Sequence, residues 1–211
     1  MSELIIWTLD WVPEGPRGLV RDLRLRWACE EAKLPYTVQT VPFNDRETNH
    51  LAQQPFGQAP FLSDGELQLF ESGACLLHLA RKSDQLLPRD SIDEAHTLQW
   101  VIAALNSIEM VSVPWWFLEI SGAENNGLTE WMLARLQHLE NVLSERNWLV
   151  ADRFTVADLL MADVLRLPKV RSCGNRPKTE DYINRVTNRP AFKKAYIDQI
   201  AHFATADANR I

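Results

Sequence analysis

A proline stands at the start of a predicted strand in the stretch QQPFGQAPFLSDGELQLFESGA, residues 53–74. Because proline has no N–H to donate to a sheet ladder, it fits only the first residue or the edge of a strand. The runs APFL and ELQLF flank Ser-Asp-Gly, which predicts a β-hairpin, and ESGACLLHLARKS then has the pattern of a helix. The stretch therefore predicts two antiparallel strands and a helix, with an open backbone at Ala59, just before Pro60.

The residues before the hairpin alternate between strand and helix. LIIWTL, residues 4–9, predicts a buried strand, and LPYTVQTVPF predicts a second one. Between them, LVRDLRLRWACEEAK predicts a helix with an apolar stripe through Leu19, Leu23 and Trp27 and its charges on the opposite side. Strands joined by a helix run parallel. The order β-α-β followed by β-β-α predicts a small α/β domain with a mixed sheet over residues 1–84.

The character of the chain changes at DQLLPRDSIDEA, which lacks a periodic stripe and predicts a linker over residues 85–94. Every later segment has helical periodicity, so residues 95–211 predict an all-helical domain. Pro114 predicts a kink or break in its first long helix. In FTVAD, Thr155 and Asp158 predict a capping box, and TVADLLMADVL is apolar on most faces, which predicts the central buried helix.

Composition argues against several classes of function. The net charge of −6 disfavours a nucleic-acid-binding surface, and no apolar run approaches the ~18 residues of a bilayer span. The N-terminus lacks the basic region of a signal peptide. Cys29, Cys75 and Cys173 have neither zinc nor disulfide spacing, and the first two fit core packing. We therefore expect a cytoplasmic protein with no metal, no membrane and no nucleic-acid partner.

The hairpin and the helix start offer groups for a peptide-like ligand. If the Ala59–Pro60 bond is cis, the N–H and C=O of Ala59 can face outward and pair with an extended ligand as an added strand. Glu71 and Ser72 begin the next helix, whose unpaired N–H groups attract a carboxylate. Glu71 would then pair with a ligand amine and Ser72 with the carboxylate. The alternative is a trans proline and an ordinary helix cap.

The segment QPFGQAPFLSDGELQLFESGACLLHLA closely resembles the glutathione-binding segment of glutathione transferases, whose common form is NPFGQVP followed by DG and then ESxA. FTVADLLMADVL resembles the capping-box helix of the same family's C-terminal domain, and the Leu-Leu-Pro linker is similar too. The resemblance covers nearly the whole chain. It implies a thioredoxin-like N-terminal domain, an all-helical C-terminal domain, a homodimer, and glutathione as co-substrate.

The resemblance also implies roles for individual residues. Pro60 would be cis, and Ala59 would pair with the cysteinyl backbone of glutathione. Glu71–Ser72 would hold the γ-glutamyl end, and the amide of Gln58 would contact the tripeptide. Arg46 stands where relatives often have a lysine for the glycine carboxylate. The nearby histidine, at position 50, is interpreted as a solvated side chain.

The group that stabilises the glutathione thiolate in this family is usually a serine, tyrosine or cysteine near the start of the first helix. Residues 3–28 contain none of these, and the usual position falls at about Gly18 or Leu19. The candidate donors are the guanidinium of Arg17, the hydroxyl of Thr8 and the backbone N–H of Gly18 or Leu19. The charge of Arg17 and its place just before the helix favour it among these.

The second substrate of most family members is apolar, and the segment VPWWFLE, residues 113–119, lies on the helix that usually lines its pocket. Three consecutive aromatic residues on a helix cannot all face one direction. We therefore expect one or both of Trp115 and Trp116 to line a hydrophobic substrate site and at least one aromatic residue of the segment to lie in the core. Trp11 would form another wall of the site.

The sequence thus predicts a cytoplasmic, homodimeric glutathione transferase that acts in detoxification. Its bound glutathione thiolate would attack a small hydrophobic electrophile or a peroxide. The missing serine, tyrosine or cysteine leaves open a non-catalytic binding or interaction protein with the same fold. A glutathione-dependent reductase that uses Cys29 is a further alternative, disfavoured because Cys29 lies well inside the first helix.

Overall fold

The computed structural model describes residues 3–44, 49–122 and 125–208, which form two compact units. The first unit combines residues 1–83 with residues 189–211, and the second spans residues 84–188. Sequence order assigned the last helix to the helical domain over residues 95–211. In the structure this helix packs within the first unit, against the first helix of the chain.

The elements follow one another in the predicted order, with strands and helices first and helices alone afterwards. They are β1 Leu4–Leu9, α1 Asp22–Ala32, β2 Thr37–Val41, α2 Asn49–Gln53, β3 Phe61–Asp64, β4 Leu67–Phe70, α3 Ser72–Ala80, α4 Ser91–Ala103, a π-helical segment Ala104–Glu109, α5 Met110–Ile120, α6 Thr129–Glu145, α7 Val156–Leu165, α8 Pro168–Arg171, α9 Pro177–Thr187 and α10 Pro190–Ala208. The short helix α2 lies in a polar segment for which the sequence predicted no regular structure.

The sheet of the first unit has the strand order β2-β1-β3-β4. β1 runs parallel to β2 and antiparallel to β3, and β3 and β4 form the predicted hairpin. The thioredoxin-like arrangement and the mixed sheet are therefore confirmed. Because Phe61 pairs with Phe70, the residues just before β3 and just after β4 lie at the same end of the hairpin.

α1 is buried on nearly all sides because it packs against both α3 and α10. Asp22, Arg24 and Arg26 are each no more than 3% exposed. The Asp22 carboxylate accepts hydrogen bonds from Arg26 Nε at 2.7 Å and from Gln199 Nε2 of α10 at 2.5 Å. A helix from the far end of the chain thus covers the charged side of α1, which the sequence pattern alone did not indicate.

The C-terminal half of α10 closes the end of the sheet. His202 lies with one ring nitrogen 3.2 Å from the Leu9 carbonyl oxygen. Phe203 is fully buried in an apolar cluster, and Ala59 packs against this cluster. The buried members of the cluster are Leu9, Val12, Val41, Phe61 and Phe203. The last helix therefore supports the backbone next to Pro60.

In the second unit, α4, the π-helical segment and α5 form one continuous helical stretch. The sequence predicted a kink or break at Pro114, and the helix passes through this residue without a break. The departure from α-helical geometry lies instead at Ala104–Glu109. A proline removes one backbone hydrogen bond and its ring crowds the carbonyl group four residues earlier, but this local cost does not end a helix whose Trp115 is packed in the core.

This stretch, Ser91–Ile120, bears on the expectation of no membrane partner. Its most apolar 18-residue window has a mean hydropathy of 1.4, and 39% of that window is buried inside the protein. By length and composition the helix would fit a bilayer, although the sequence expectation was that no segment does. Core helices of soluble proteins meet the same criteria, so the match is a weak indication, and the absence of a membrane partner stays a prediction.

α7 is the central helix of the second unit, and all of its residues are buried. The predicted capping box is confirmed: the Thr155 hydroxyl oxygen accepts from Ala157 N–H at 3.3 Å, and Asp158 Oδ2 accepts from Thr155 N–H at 2.9 Å. The other carboxylate oxygen accepts from Leu149 N–H at 3.0 Å and from the Tyr182 hydroxyl at 2.9 Å. One side chain thus joins the start of α7 to the preceding turn and to α9.

The N-terminus of α9 is capped from another helix. Glu140 of α6 accepts hydrogen bonds from the backbone N–H groups of Lys178 at 2.9 Å and Thr179 at 2.7 Å, and from the Thr179 hydroxyl at 2.7 Å. Burial acts to raise the pKa of Glu140, but the hydrogen bonds from Thr179 and Lys178 together outweigh it and lower the pKa.

We expect Glu140→Gln to reduce the free energy of unfolding by about 1 kcal/mol at pH 7, because a charged cap is lost. The folded-state pKa lies below the unfolded one, so the stabilisation is present above the ordinary pKa of 4.5 and is lost as the pH falls below it. Urea unfolding of both proteins at pH 7 and near pH 3.5 measures this difference. Glu145→Gln, on the exposed part of the same helix, is the control; a difference that stays constant with pH would contradict the prediction.

Candidate functional site

The Ala59–Pro60 peptide bond is cis, as the resemblance implies. Pro60 is buried at the start of β3, and Ala59 is half-buried. The pairing of β3 with β1 begins at Phe61, one residue beyond Pro60. The backbone N–H and C=O of Ala59 make no hydrogen bond to the part of the chain that the structure describes. They are the two groups that an extended ligand would use as an added strand.

His50 holds the backbone immediately before this bond. Its Nε2 lies 2.7 Å from the Gln58 carbonyl oxygen, and its ring lies 5.6 Å from that of Phe61. A carbonyl oxygen only accepts, so Nε2 carries the proton. His50 is 3% exposed, and its interpretation as a solvated side chain is wrong. The Gln58 side chain is exposed.

The start of α3 lies at the same end of the hairpin as Ala59. Glu71 has φ 67° and ψ 116°, a left-handed backbone conformation that costs a non-glycine residue about 1–3 kcal/mol. Such strain concentrates at ligand sites, where the surrounding structure maintains it. The Glu71 side chain is exposed, whereas Ser72 is 7% exposed. An acceptor for an amine and a hydroxyl at a helix N-terminus thus lie at the same hairpin end as the open backbone of Ala59.

The two side chains among the predicted thiolate donors lie in places that do not favour this role. Thr8 is fully buried in β1, and its Oγ1 has no hydrogen-bond partner among residues 3–44, 49–122 and 125–208. The Arg17 guanidinium is paired with Asp207 of α10 through contacts of 2.7 and 2.6 Å, and it also donates to the Val12 carbonyl oxygen. Arg17 would have to give up this pairing to reach a thiolate. Both assignments stay predictions.

Sequence reasoning missed Tyr196 of α10, which lies against Gly18. Gly18 has φ +78°, and a Cβ placed on it would lie 2.5 Å from Tyr196 Cε2 and 3.0 Å from the phenol oxygen. The ring therefore occupies the space that a side chain at position 18 would need, close to where the resemblance implies a thiolate-stabilising group. The Tyr196 hydroxyl makes no hydrogen bond to the described residues, and the side chain is 37% exposed. No local pattern signals this contact, because it joins the two ends of the chain.

Trp11 borders an open cavity of about 640 Å³ in the first unit. Its indole Nε1 donates to Asp207 Oδ1 at 2.7 Å. Thr40, His202 and Thr205 are among the other residues that line this cavity. The cavity combines an aromatic wall with hydroxyl and imidazole groups, which suits a ligand of mixed polarity.

The two other predicted walls of a hydrophobic site differ in exposure. Trp115 is 4% exposed, and its Nε1 donates to the Thr129 hydroxyl at 3.2 Å, so it belongs to the core of the second unit. Trp116 is half-buried beside Phe117, which is 56% exposed. The structure therefore presents Trp116, but not Trp115, at the surface of this helix.

Two further predictions concern chemistry at other positions. Arg46, expected at the glycine carboxylate, lies outside the described residues. Burial, with a smaller effect of the Glu30 charge, raises the pKa of the Cys29 thiol to about 12, which argues against a reductase that uses Cys29 as nucleophile. Within the described ranges, no group of three or more His, Cys, Asp or Glu side chains is placed to hold a metal ion.

Comparison with known proteins shows which families and relatives this chain is similar to. A family profile described as "Glutathione S-transferase, N-terminal domain" matches residues 15–81, and one described as "Glutathione S-transferase, C-terminal domain" matches residues 124–190. The chain is 32% identical over 168 residues to glutathione S-transferase F11 of Arabidopsis thaliana, which covers 71% of this chain and 78% of that protein.

Solved structures share the fold at lower sequence identity. A glutathione transferase from Pseudomonas putida, solved with one glutathione disulfide per subunit, has a TM-score of 0.79 at 21% identity and covers 92% of this chain and 91% of its own. Ure2p in complex with glutathione has a TM-score of 0.77 at 19% identity and covers 93% of each chain. Another structure of this yeast prion protein is described as its nitrogen regulation fragment.

Proposed function

Because the chain belongs to the glutathione S-transferase family, we propose that it binds glutathione and uses the glutathione thiolate to attack a small hydrophobic electrophile or a peroxide. The observation that carries this proposal is the unpaired backbone of Ala59, just before Pro60, at the same hairpin end as the strained Glu71. A peptide with a charged α-amino acid end fits these groups.

In the proposed complex the tripeptide lies along the start of β3. The cysteinyl backbone pairs with the N–H and C=O of Ala59, and the Gln58 amide reaches the same stretch. The γ-glutamyl carboxylate meets Ser72 and the N-terminus of α3, while the Glu71 carboxylate accepts from the γ-glutamyl amine. Arg46 stays the predicted partner of the glycine carboxylate.

Activation of the thiol needs one hydrogen-bond donor. Lowering a thiol pKa by about two units requires about 2.7 kcal/mol. A helix N-terminus typically supplies about 0.3–1 kcal/mol, and a hydrogen bond to a charged group supplies about 1.5–3 kcal/mol. The proposed donor is the Tyr196 phenol, which lies against Gly18, because Arg17 is paired with Asp207 and Thr8 is enclosed.

The test is calorimetric titration with glutathione, paired with the thiolate absorbance of the bound tripeptide across pH. We expect binding with a thiol pKa below that of free glutathione. Tyr196→Phe is expected to raise the bound thiol pKa by about one unit or more, because it removes only the hydroxyl. Arg17→Ala and Thr8→Val are the matched comparisons. If either raises the pKa of the bound thiol more than Tyr196→Phe does, that residue is the thiolate donor instead.

The outcomes separate the candidate functions. No binding of glutathione would overturn the proposal. Binding with an unshifted thiol pKa would favour the second candidate, a glutathione-transferase fold that binds or interacts without catalysis. Two observations support this second candidate: residues 3–28 lack serine, tyrosine and cysteine, and Ure2p, which shares the fold, is described in terms of nitrogen regulation.

We also propose that the protein is a cytoplasmic homodimer with a role in detoxification and that neither nucleic acid nor a membrane is its partner.

The first unit exposes an aromatic pair, Phe56 and Phe70, whose ring centroids lie 6.2 Å apart. Phe56 is 66% exposed, and Leu67 on the edge strand β4 is 42% exposed. Exposed apolar patches of this kind often mark interfaces. Light scattering would show a mass of twice 24.2 kDa for the dimer and 24.2 kDa for a single chain.

A further inference from the structure

A buried arginine lies behind the serine that is proposed to bind the ligand. Arg24, on α1, is 2% exposed, and its Nη1 donates to Ser72 Oγ at 3.1 Å. A guanidinium stays protonated at any pH at which the protein works, and it only donates. The contact therefore has one direction: Arg24 gives the hydrogen and Ser72 Oγ accepts it.

We propose that Arg24 is a positioning residue that makes Ser72 a carboxylate-specific donor for the γ-glutamyl end of the ligand. A serine hydroxyl has one O–H and two lone pairs. When Arg24 occupies a lone pair, the O–H points away from the guanidinium, toward the open side of the α3 N-terminus. Without Arg24 the hydroxyl could rotate and donate to a nearby backbone carbonyl, as serine does in helices.

The positive charge of Arg24, like its hydrogen bond to Ser72, favours a ligand carboxylate at Ser72. A cation behind the hydroxyl polarises the O–H bond and attracts an anion on the far side of Ser72. This attraction is stronger at a buried position than in water, because the local dielectric constant is lower. The subsite thus has a cation behind Ser72 and an anion at Glu71, which matches the carboxylate and the amine of an α-amino acid head.

Arg26 provides the contrast on the same helix. It is 3% exposed, and its Nε donates to the Asp22 carboxylate at 2.7 Å. Its partner is thus a residue of the same helix, whereas Arg24 contacts a residue of the proposed ligand site. A purely structural role for Arg24, joining α1 to α3, would affect every ligand alike and would not depend on a ligand carboxylate.

The test compares two probes, glutathione and 4-aminobutyryl-cysteinyl-glycine, which is glutathione without the γ-glutamyl carboxylate. The inference rests on the proposed function, so the unmodified protein should prefer glutathione in calorimetric titration. Arg24→Met should reduce this preference by about 10- to 100-fold while changing the affinity for the decarboxylated probe by less than about threefold. Ser72→Ala should reduce it similarly, and the double variant should show little further loss.

Further variants keep the result interpretable. Arg26→Lys, the matched control, should leave the preference unchanged. If Arg24→Met does not fold, Arg24→Lys carries the test, since it keeps the charge but loses the guanidinium geometry, and a reduction of about three- to tenfold is expected.

Contrary results fall into two distinguishable classes. Equal weakening of both probes by Arg24→Met, or an unchanged preference, would overturn the inference and leave the proposed function intact. Failure of the unmodified protein to bind glutathione would overturn the proposed function and the inference together.

Discussion

Asp158→Ala is expected to lower the free energy of unfolding of the second unit by about 3–4 kcal/mol. The substitution removes the acceptor of the Thr155 and Leu149 N–H groups and of the Tyr182 hydroxyl. These groups are buried, and each buried donor left without a partner costs about 1–3 kcal/mol. The loss of the helix cap adds to this cost.

Urea unfolding followed by far-UV circular dichroism measures the effect of Asp158→Ala. Asp181→Ala, an exposed change beside Tyr182, is the control and should alter stability by less than about 0.5 kcal/mol. Asp158→Asn should have an intermediate effect, because the amide keeps one acceptor oxygen. A loss below about 1 kcal/mol for Asp158→Ala would show that the capping carboxylate does not hold these segments together.

Phe203→Ala is expected to destabilise the first unit by about 3–5 kcal/mol. Phe203 is fully buried against Leu9 and Phe61 at the end of the sheet, so its removal leaves a cavity that the strands cannot fill. Ala59 packs against the same cluster. The affinity for glutathione should therefore also fall, because the backbone that pairs with the ligand loses its support.

Chemical unfolding and glutathione titration, performed on the same preparation, measure the two effects of Phe203→Ala. Ile197→Ala is the matched control, because it shortens a 64% exposed side chain on the same helix. It should change both quantities little. If Phe203→Ala lowers stability but leaves the affinity for glutathione unchanged, the cluster does not support the Ala59 backbone for ligand binding, which would contradict the prediction.

The parts of the fold that could be predicted are those encoded over short distances. The β3–β4 hairpin follows from a turn between two strand-like runs, and the capping box from the spacing of Thr155 and Asp158. The resemblance to a known family implied the cis Ala59–Pro60 bond, again from one short motif. In each case the residues that form the feature lie within a few positions of one another, so the local sequence is enough to predict it.

The sequence-based predictions that were wrong or incomplete concern side chains that pack against residues from distant parts of the chain. His50 has a polar sequence context, yet it is buried beneath the Gln58 carbonyl. Trp115 and Trp116 are equivalent in sequence, but only packing decided that Trp115 lies in the core. Hydrophobic periodicity indicates that a face is buried without showing what covers it.

The sequence by itself determined the order of strands and helices, the family, and the short segment proposed to bind glutathione. Only the tertiary structure decided which residues surround that segment. α10 packs on α1, so most charges of α1 are buried and Tyr196 lies against Gly18, while Arg24 meets Ser72 through the packing of α1 on α3. The physical reason is that these contacts join residues far apart in the chain, and burial of apolar surface across the whole unit, rather than local pattern, brings them together.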